Sequence, residues 1–291
     1  MKELKRSTFT NGFVSLLELN DGKQIEATAT CLPMSTEMRG TDRTDNYAVD
    51  YNQHDANNWQ EKVMIGVSTQ SGCPIKCKFC AVNDLTARQS WRNLTAVEIT
   101  QQVNWGVMQV INEQGVDPAD AKLFRVLFTR MGEPAMNHRN VISAARIIKG
   151  IYPDVRIQIS TIGFGRHTEA LVIGLAELQA DFGEQFIELQ FSVHSTSHEY
   201  RQWLQHRSVS TNVSIQNLIE RYHQRLVMRG VEIKWKVTLN FALTEQTHFD
   251  IVLLKEQFDP EDVFIKVSPI NENKETEKNN IKGVILQTNE V

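Results

Sequence analysis

Cys73, Cys77 and Cys80 form a C-x3-C-x2-C run within eight residues and are three of the four cysteines in the chain. Disulfide frameworks spread their cysteines to staple distant loops, so this crowding points to metal or cluster ligation in a reducing compartment. On a 4Fe–4S cluster, three thiolates leave one iron without a protein ligand, and an open iron can bind and reduce a small molecule. The alternative is zinc. Zinc sites favour paired C-x2-C spacings and close with a fourth Cys or His, and the nearest histidine in sequence is His54. The fourth cysteine, Cys31, is isolated and reads as a buried thiol.

The loop follows directly on a strand marked by Val63, Ile65 and Val67. Upstream, residues 8–35 read as a hairpin turning on Asp21-Gly22, and 36–60 as a long polar loop. In that hairpin Glu26, Thr28 and Thr30 share one face and Cys31 falls on the other. Downstream, Thr95 with Glu98 makes a capping box for a helix with Ile99, Val103, Val107, Val110 and Ile111 on one side. Further strands are expected at 123–129, 155–159, 186–193, 233–241 and 263–268. Helices are expected at 138–149 (ended by Gly150), 168–180, 213–229 and 247–257, and loop or disorder at 271–280.

Six strands alternating with helices specify parallel β/α units. Strands 186–193 and 233–241 alternate apolar with polar side chains, whereas strands buried between two helical layers are apolar on both faces. The expected fold is therefore α/β: a partial (β/α)6 barrel with an N-terminal β-hairpin extension. Its divisions are residues 1–60 for hairpin and loop, 61–270 for the barrel and 271–291 for a polar tail. The cysteines then sit at the C-terminal rim, where such barrels carry their active sites.

The net charge of −4 counts against a large nucleic-acid footprint, but residues 198–229 hold a local run of arginines: Arg201, Arg207, Arg221, Arg225 and Arg229. No apolar run is long enough to span a membrane and none resembles a signal peptide, so a cytoplasmic location with no membrane partner is expected.

The string from Val67 to Cys80, VSTQSGCPIKCKFC, with Phe79 before the last cysteine, resembles the radical S-adenosylmethionine (SAM) superfamily. Within it, the chain resembles the RlmN/Cfr-type methyltransferases that act on adenosine in RNA. The likeness extends through Arg92-Asn93-Leu94-Thr95, Met131-Gly132-Glu133-Pro134, Ser160-Thr161-Ile162-Gly163, Ser192-Val193-His194 and Pro269-Ile270-Asn271. It implies a 4Fe–4S cluster on Cys73, Cys77 and Cys80, with SAM bound to the open iron. Phe79, Gly132, Glu133, Ser160, Ser192, Val193, His194 and Asn271 would then contact SAM, Gly132 and Glu133 at its amino group. Reductive cleavage of SAM would give a deoxyadenosyl radical, with the electron from an external donor such as flavodoxin or ferredoxin. RNA would be the partner, and Glu26 matches the family's acid/base glutamate; a solvent-facing hairpin carboxylate is the alternative.

The match also has departures. The family carries its methyl group on a C-terminal cysteine, and this sequence has none after Cys80; Gly66 replaces another family cysteine, and Arg130 stands where the family has glycine. Two further readings follow: the core redirected to a peptide, nucleotide or metabolite, or a cluster-binding protein without turnover.

Overall fold

The computed structural model describes residues 1–31 and 58–284. The expected polar loop falls, up to residue 57, outside the described residues.

Among the described residues, nine strands form one sheet whose order follows the chain. They are β1 (Lys2–Phe9), β2 (Gly12–Glu18), β3 (Gln24–Thr30), β4 (Lys62–Val67), β5 (Leu123–Phe128), β6 (Arg156–Thr161), β7 (Ile187–Ser192), β8 (Val237–Leu243) and β9 (Val263–Pro269). The helices are α1 (Val82–Arg88), α2 (Ala96–Gln114), α3 (His138–Ile151), α4 (Gly165–Phe182), α5 (His198–Leu204), α6 (Asn212–Met228), α7 (Ile251–Gln257) and α8 (Lys274–Lys278). Pairing is antiparallel from β1 to β4 and parallel from β4 to β9.

Right-handed crossovers that always step to the next strand put the helices on one side of the sheet. A doubly wound sheet instead reverses its order at a switch point. The consecutive order therefore corresponds to the expected partial barrel; its end strands, β1 and β9, do not pair. Phe124, Val126 and Phe128 of β5, Ile157 and Ile159 of β6, and Ile187, Leu189 and Phe191 of β7 are buried in the core.

The alternate positions of β6 and β7 are polar, and β5 contributes Arg125 between Leu123 and Leu127. Arg125 ion-pairs with Glu188 and donates to Gln158 at 3.0 Å. Gln158 donates to Gln190 at 3.1 Å, and Gln190 to the Ser160 hydroxyl at 2.8 Å. Buried polar groups persist when bonded to one another. This chain of bonds links the middle of three strands to their C-terminal ends.

Several elements differ from the sequence expectation. β1 is added outside the hairpin; its exposed sequence KELKRSTF carries no apolar alternation, and it is held by pairing with β2. Arg6 anchors it, stacking 4.2 Å above Phe13 and bonding Glu3, Gln109 and Glu113. α3 runs through Gly150 to Ile151 and stops before Pro153, which disfavours helical backbone in the residue preceding it. Residues 233–236 are not strand, because the Lys234 and Trp235 N–H groups donate to the Gln185 side chain instead. α5 was not anticipated. The segment at 271–280, expected as loop, contains α8, capped by Asn273 accepting from the Glu275 N–H at 2.9 Å.

Arg201 pins the sheet ends to the outer layer. It is fully buried, and its guanidinium donates to the carbonyls of Val193 (3.0 Å), Ser210 (2.6 Å) and Ile162 (3.2 Å) and to Asn212 (2.7 Å). Burial lowers its pKa to about 10, so it stays charged at neutral pH. Each buried acceptor left unmet costs about 1–3 kcal/mol. Arg201→Met should therefore lose at least about 3 kcal/mol in urea unfolding; an unchanged midpoint would show the contacts to be dispensable.

Candidate active site

The cysteine loop leaves β4 through Ser68–Ser71, all buried, and turns at Gly72, whose φ of +112° favours glycine. Three anchors set its shape. The Cys73 N–H donates to the Thr86 hydroxyl of α1 at 3.0 Å, the Cys80 N–H to the Cys77 carbonyl at 3.1 Å, and the Lys78 N–H to the Leu204 carbonyl of α5 at 2.9 Å. The segment after β9 closes the far side. Asn273 and Asn279 donate to the carbonyls of Phe79 and Lys78 at 2.9 and 3.0 Å.

The turn after β5 locks onto this loop. The Thr69 N–H donates to the Met131 carbonyl at 2.8 Å, the Met131 N–H to the Ser68 hydroxyl at 3.1 Å, and the Glu133 N–H to the Gln70 side chain at 2.9 Å. Gly132 has φ +102°, and a Cβ there would sit 2.7 Å from Gln70 and Thr69, so only glycine lets the two segments approach this closely. Glu133 is buried. Its carboxylate accepts from the Ala135 N–H (2.9 Å), the Thr161 hydroxyl (2.5 Å) and the Ile162 N–H (3.1 Å). An ionised carboxylate has about four acceptor sites, so one remains.

These parts face one cavity of about 490 Å³ at the C-terminal ends of the parallel strands. Cys73, Cys77, Cys80, Phe79, Gly132, Glu133, Ser160, Ser192, His194, Asn271 and Glu26 all line it. Val193 alone of the expected contacts does not: its side chain is in the core, its N–H bonds Asn240 and its carbonyl Arg201. Glu26 of β3 is turned to the cavity rather than to open solvent, beside a Ser68 hydroxyl bond to its own carbonyl of 2.6 Å. Cys31 is buried in the core, away from the cavity.

Gly66 and Arg130, two separate departures in the sequence, lie side by side in the fold. A Cβ on Gly66 would lie 3.4 Å from the Arg130 side chain and 2.3 Å from the Thr28 hydroxyl. The Thr28 hydroxyl thus bars a side chain at 66, and Arg130 packs beside the bare backbone and lines the cavity with Glu26 and Cys80. Only the paired contact distance reveals this link, and no sequence spacing carries it. Thr161, Gln190 and Asn240 also line the cavity without having been singled out.

Desolvation pushes the Cys73 thiol up to about 12. It pushes Cys77 well above the ordinary thiol value, with the charges of Cys80 and Cys73 adding to it, and it also raises Cys80, where Glu26 adds to the effect and Arg130 opposes it. Thiols held this way ionise when a cation replaces their protons. Among the described residues, no three Cys, His, Asp or Glu side chains converge on a point suited to a single metal ion. The three cysteines do line one cavity. The burial of Glu133 raises its pKa against the pull of its three donors.

His194 adopts φ +64° and packs edge-on to Phe79 at 5.2 Å. Its Nδ1 accepts the Ala242 N–H at 2.9 Å, which leaves the ring proton on Nε2.

No protein-family profile matches the chain. Among curated proteins it is similar to a probable dual-specificity RNA methyltransferase RlmN of Heliobacterium modesticaldum, at 33% identity over 153 residues, covering 50% of this chain and 35% of that protein. A second protein of the same name, from Dictyoglomus turgidum, is 29% identical over 232 residues, covering 78% of this chain and 53% of that one. The chain thus spans from about a third to about half the length of these relatives. Among solved structures, a radical SAM methyltransferase from Sphaerobacter thermophilus superposes with TM-score 0.66 at 20% identity, covering 93% of this chain and 67% of that one. The sequence resemblance to RlmN-type proteins is upheld, and so is the fold. No helix among the described residues is long and apolar enough to cross a membrane.

Burial lowers the His194 pKa to about 3, against about 6.5 when unfolded. The folded state then binds one proton fewer between those values, so His194 stabilises the fold above pH 6.5 and that contribution is lost as pH falls. His194→Asn keeps the acceptor and tolerates positive φ. The variant should lose less stability on acidification than the wild type, by about 1.4 kcal/mol per pH unit below 6.5. Parallel pH–stability curves would overturn this assignment.

Proposed function

We propose that this chain is a radical SAM enzyme of the RlmN type that acts on RNA. The observation that carries the reading is the meeting of three cysteines, the Gly132-Glu133 turn and the strand-end polar side chains around one cavity. The donor chemistry fits the group: crowded thiols that ionise against a cation, in a cavity whose volume lies within the roughly 300–1,000 Å³ of cofactor pockets. The names of the similar curated proteins support RNA as substrate.

In this reading Cys73, Cys77 and Cys80 hold a 4Fe–4S cluster. Such a cluster, reduced by an external donor, would supply one-electron chemistry on SAM. The remaining acceptor site of Glu133, with the Gly132 backbone, receives the SAM amino group. Ser160, Ser192, Asn271 and the Nε2–H of His194 bond its other polar groups, and the ring of Phe79 excludes water beside the cysteines. Glu26 faces the cysteines from β3, where it can move a proton on the substrate side. The close packing of the Gly132 turn on the cysteine strand keeps these groups in fixed relation, as rate enhancement by positioning requires.

One observation favours a second reading, in which the same core acts on a smaller anionic substrate. The Arg130 side chain lines the cavity and makes no hydrogen bond or ion pair among the described residues.

Anaerobic assay of the reconstituted chain with SAM, reductant and RNA separates the two readings. The RNA reading expects deoxyadenosine release to rise at least about tenfold on adding RNA, a barrier change of about 1.4 kcal/mol, and the RNA to gain mass. Cys77→Ala should abolish both. Release that ignores RNA, with unaltered RNA mass, would favour the small-substrate reading.

A further inference from the structure

The arginines that stand out in the sequence at 198–229 are largely spent inside the fold. Arg201 is buried among carbonyls. Arg221 ion-pairs with Glu169, and Arg225 and Arg229 with Glu177, all across to α4. These charges are matched and offer little to a partner.

A different set is left open beside the cavity. Lys76, Arg139, Arg166 and Arg207 are exposed, and none makes a side-chain hydrogen bond or ion pair among the described residues. Three of them adjoin a histidine in sequence: His138-Arg139, Arg166-His167 and His206-Arg207. The structure draws those histidines together around Phe164. The Phe164 ring stacks on His167 at 6.0 Å and lies 5.3 Å from His206, and His138 lies 6.5 Å from His167. Phe164 in turn packs against the buried cluster of Ile75, Ile162 and Val209, against which Cys73 and Cys77 also pack. Ile75 and Ile162 line the cavity, so the ring cluster stands at its mouth, and Lys76 adjoins Ile75 at the tip of the cysteine loop.

The local charge is unopposed. Neither α3 nor α4 has an acidic residue in its first turn, and Glu169, the nearest acid along α4, is held by Arg221. Arg139 and Arg166 instead occupy those first turns, where the helix dipole disfavours a cation. Rings that can stack on bases, flanked by guanidinium groups that can meet phosphates, are the two ingredients of single-stranded nucleic-acid binding.

We propose that Lys76, Arg139, Arg166 and Arg207, set around the Phe164, His138, His167 and His206 rings, dock a single-stranded stretch of RNA at the cavity mouth. The proposal rests on the RNA reading above and assigns its contact surface. The cations meet successive phosphates and Phe164 with the histidines stacks the intervening bases, so that an unstacked base can enter the cavity.

The test is fluorescence anisotropy of a labelled RNA stem-loop binding the reconstituted full chain over a salt series. The triple variant Arg139→Gln, Arg166→Gln, Arg207→Gln should weaken binding at least about tenfold. It should also lower the slope of log Kd against log salt by about two to three, one unit per lost phosphate contact. The pair Arg221→Gln, Arg225→Gln removes as many charges from α6 per residue changed and should leave both quantities near wild type. Melting temperatures of both variants check that each is folded. An unaltered slope in the triple variant, or a loss confined to the α6 pair, overturns the proposal while leaving the RNA reading intact. Unchanged RNA affinity, with turnover lost only when an acidic flavoprotein replaces dithionite as reductant, overturns it in favour of a protein partner. A wild-type chain that binds no RNA overturns both, and that result appears before any variant is made.

Discussion

The buried carboxylate of Glu133 is the junction on which the site depends. Burying a charge in a protein interior is costly unless donors surround it. Here Ala135, Thr161 and Ile162 supply them, and the backbone of the same residue reaches back to Gln70. One residue thereby joins the end of β6 to the turn after β5 through its side chain, and that turn to the segment leading to the cysteines through its backbone N–H. The close approach that Gly132 permits is the complementary half of the arrangement. If the carboxylate were absent, its three donors would lose their acceptor and the turn its reason to stand against Thr161.

The barrel interior explains why the cavity opens at one end. Arg125, Glu188, Gln158, Gln190 and Ser160 form a continuous polar chain across β5, β6 and β7. It fills the space between those strands and delivers Gln190 and Ser160 to the cavity wall. Outside the sheet, Arg201 ties the ends of β6 and β7 to α5 and α6. Both networks act on the same ends of the strands, so the residues that line the cavity are fixed from inside and outside.

Local signals were legible in the sequence. The capping box of Thr95 and Glu98 forms with both its bonds, the Asp21-Gly22 turn joins β2 to β3, and the cysteine spacing places its loop after β4. Each depends on residues a few positions apart. What the sequence hid depends on distant partners. β1 has no periodicity of its own and needs β2 beside it. The segment with α8 reads as polar tail until Asn273 and Asn279 meet the cysteine loop. The contact of Arg130 with Gly66 is made between β4 and the turn after β5. The arginines on α6 looked available because their partners, Glu169 and Glu177, lie more than a helix away in sequence.

The central claim is that Cys73, Cys77 and Cys80 together hold a cluster with one iron open to SAM. Electron paramagnetic resonance of the reduced, reconstituted chain, recorded with and without SAM and paired with iron analysis, tests it most directly. The account predicts about four irons per chain and a signal that changes shape when SAM is added. A spectrum indifferent to SAM, or a chain that retains zinc in place of iron, would contradict it.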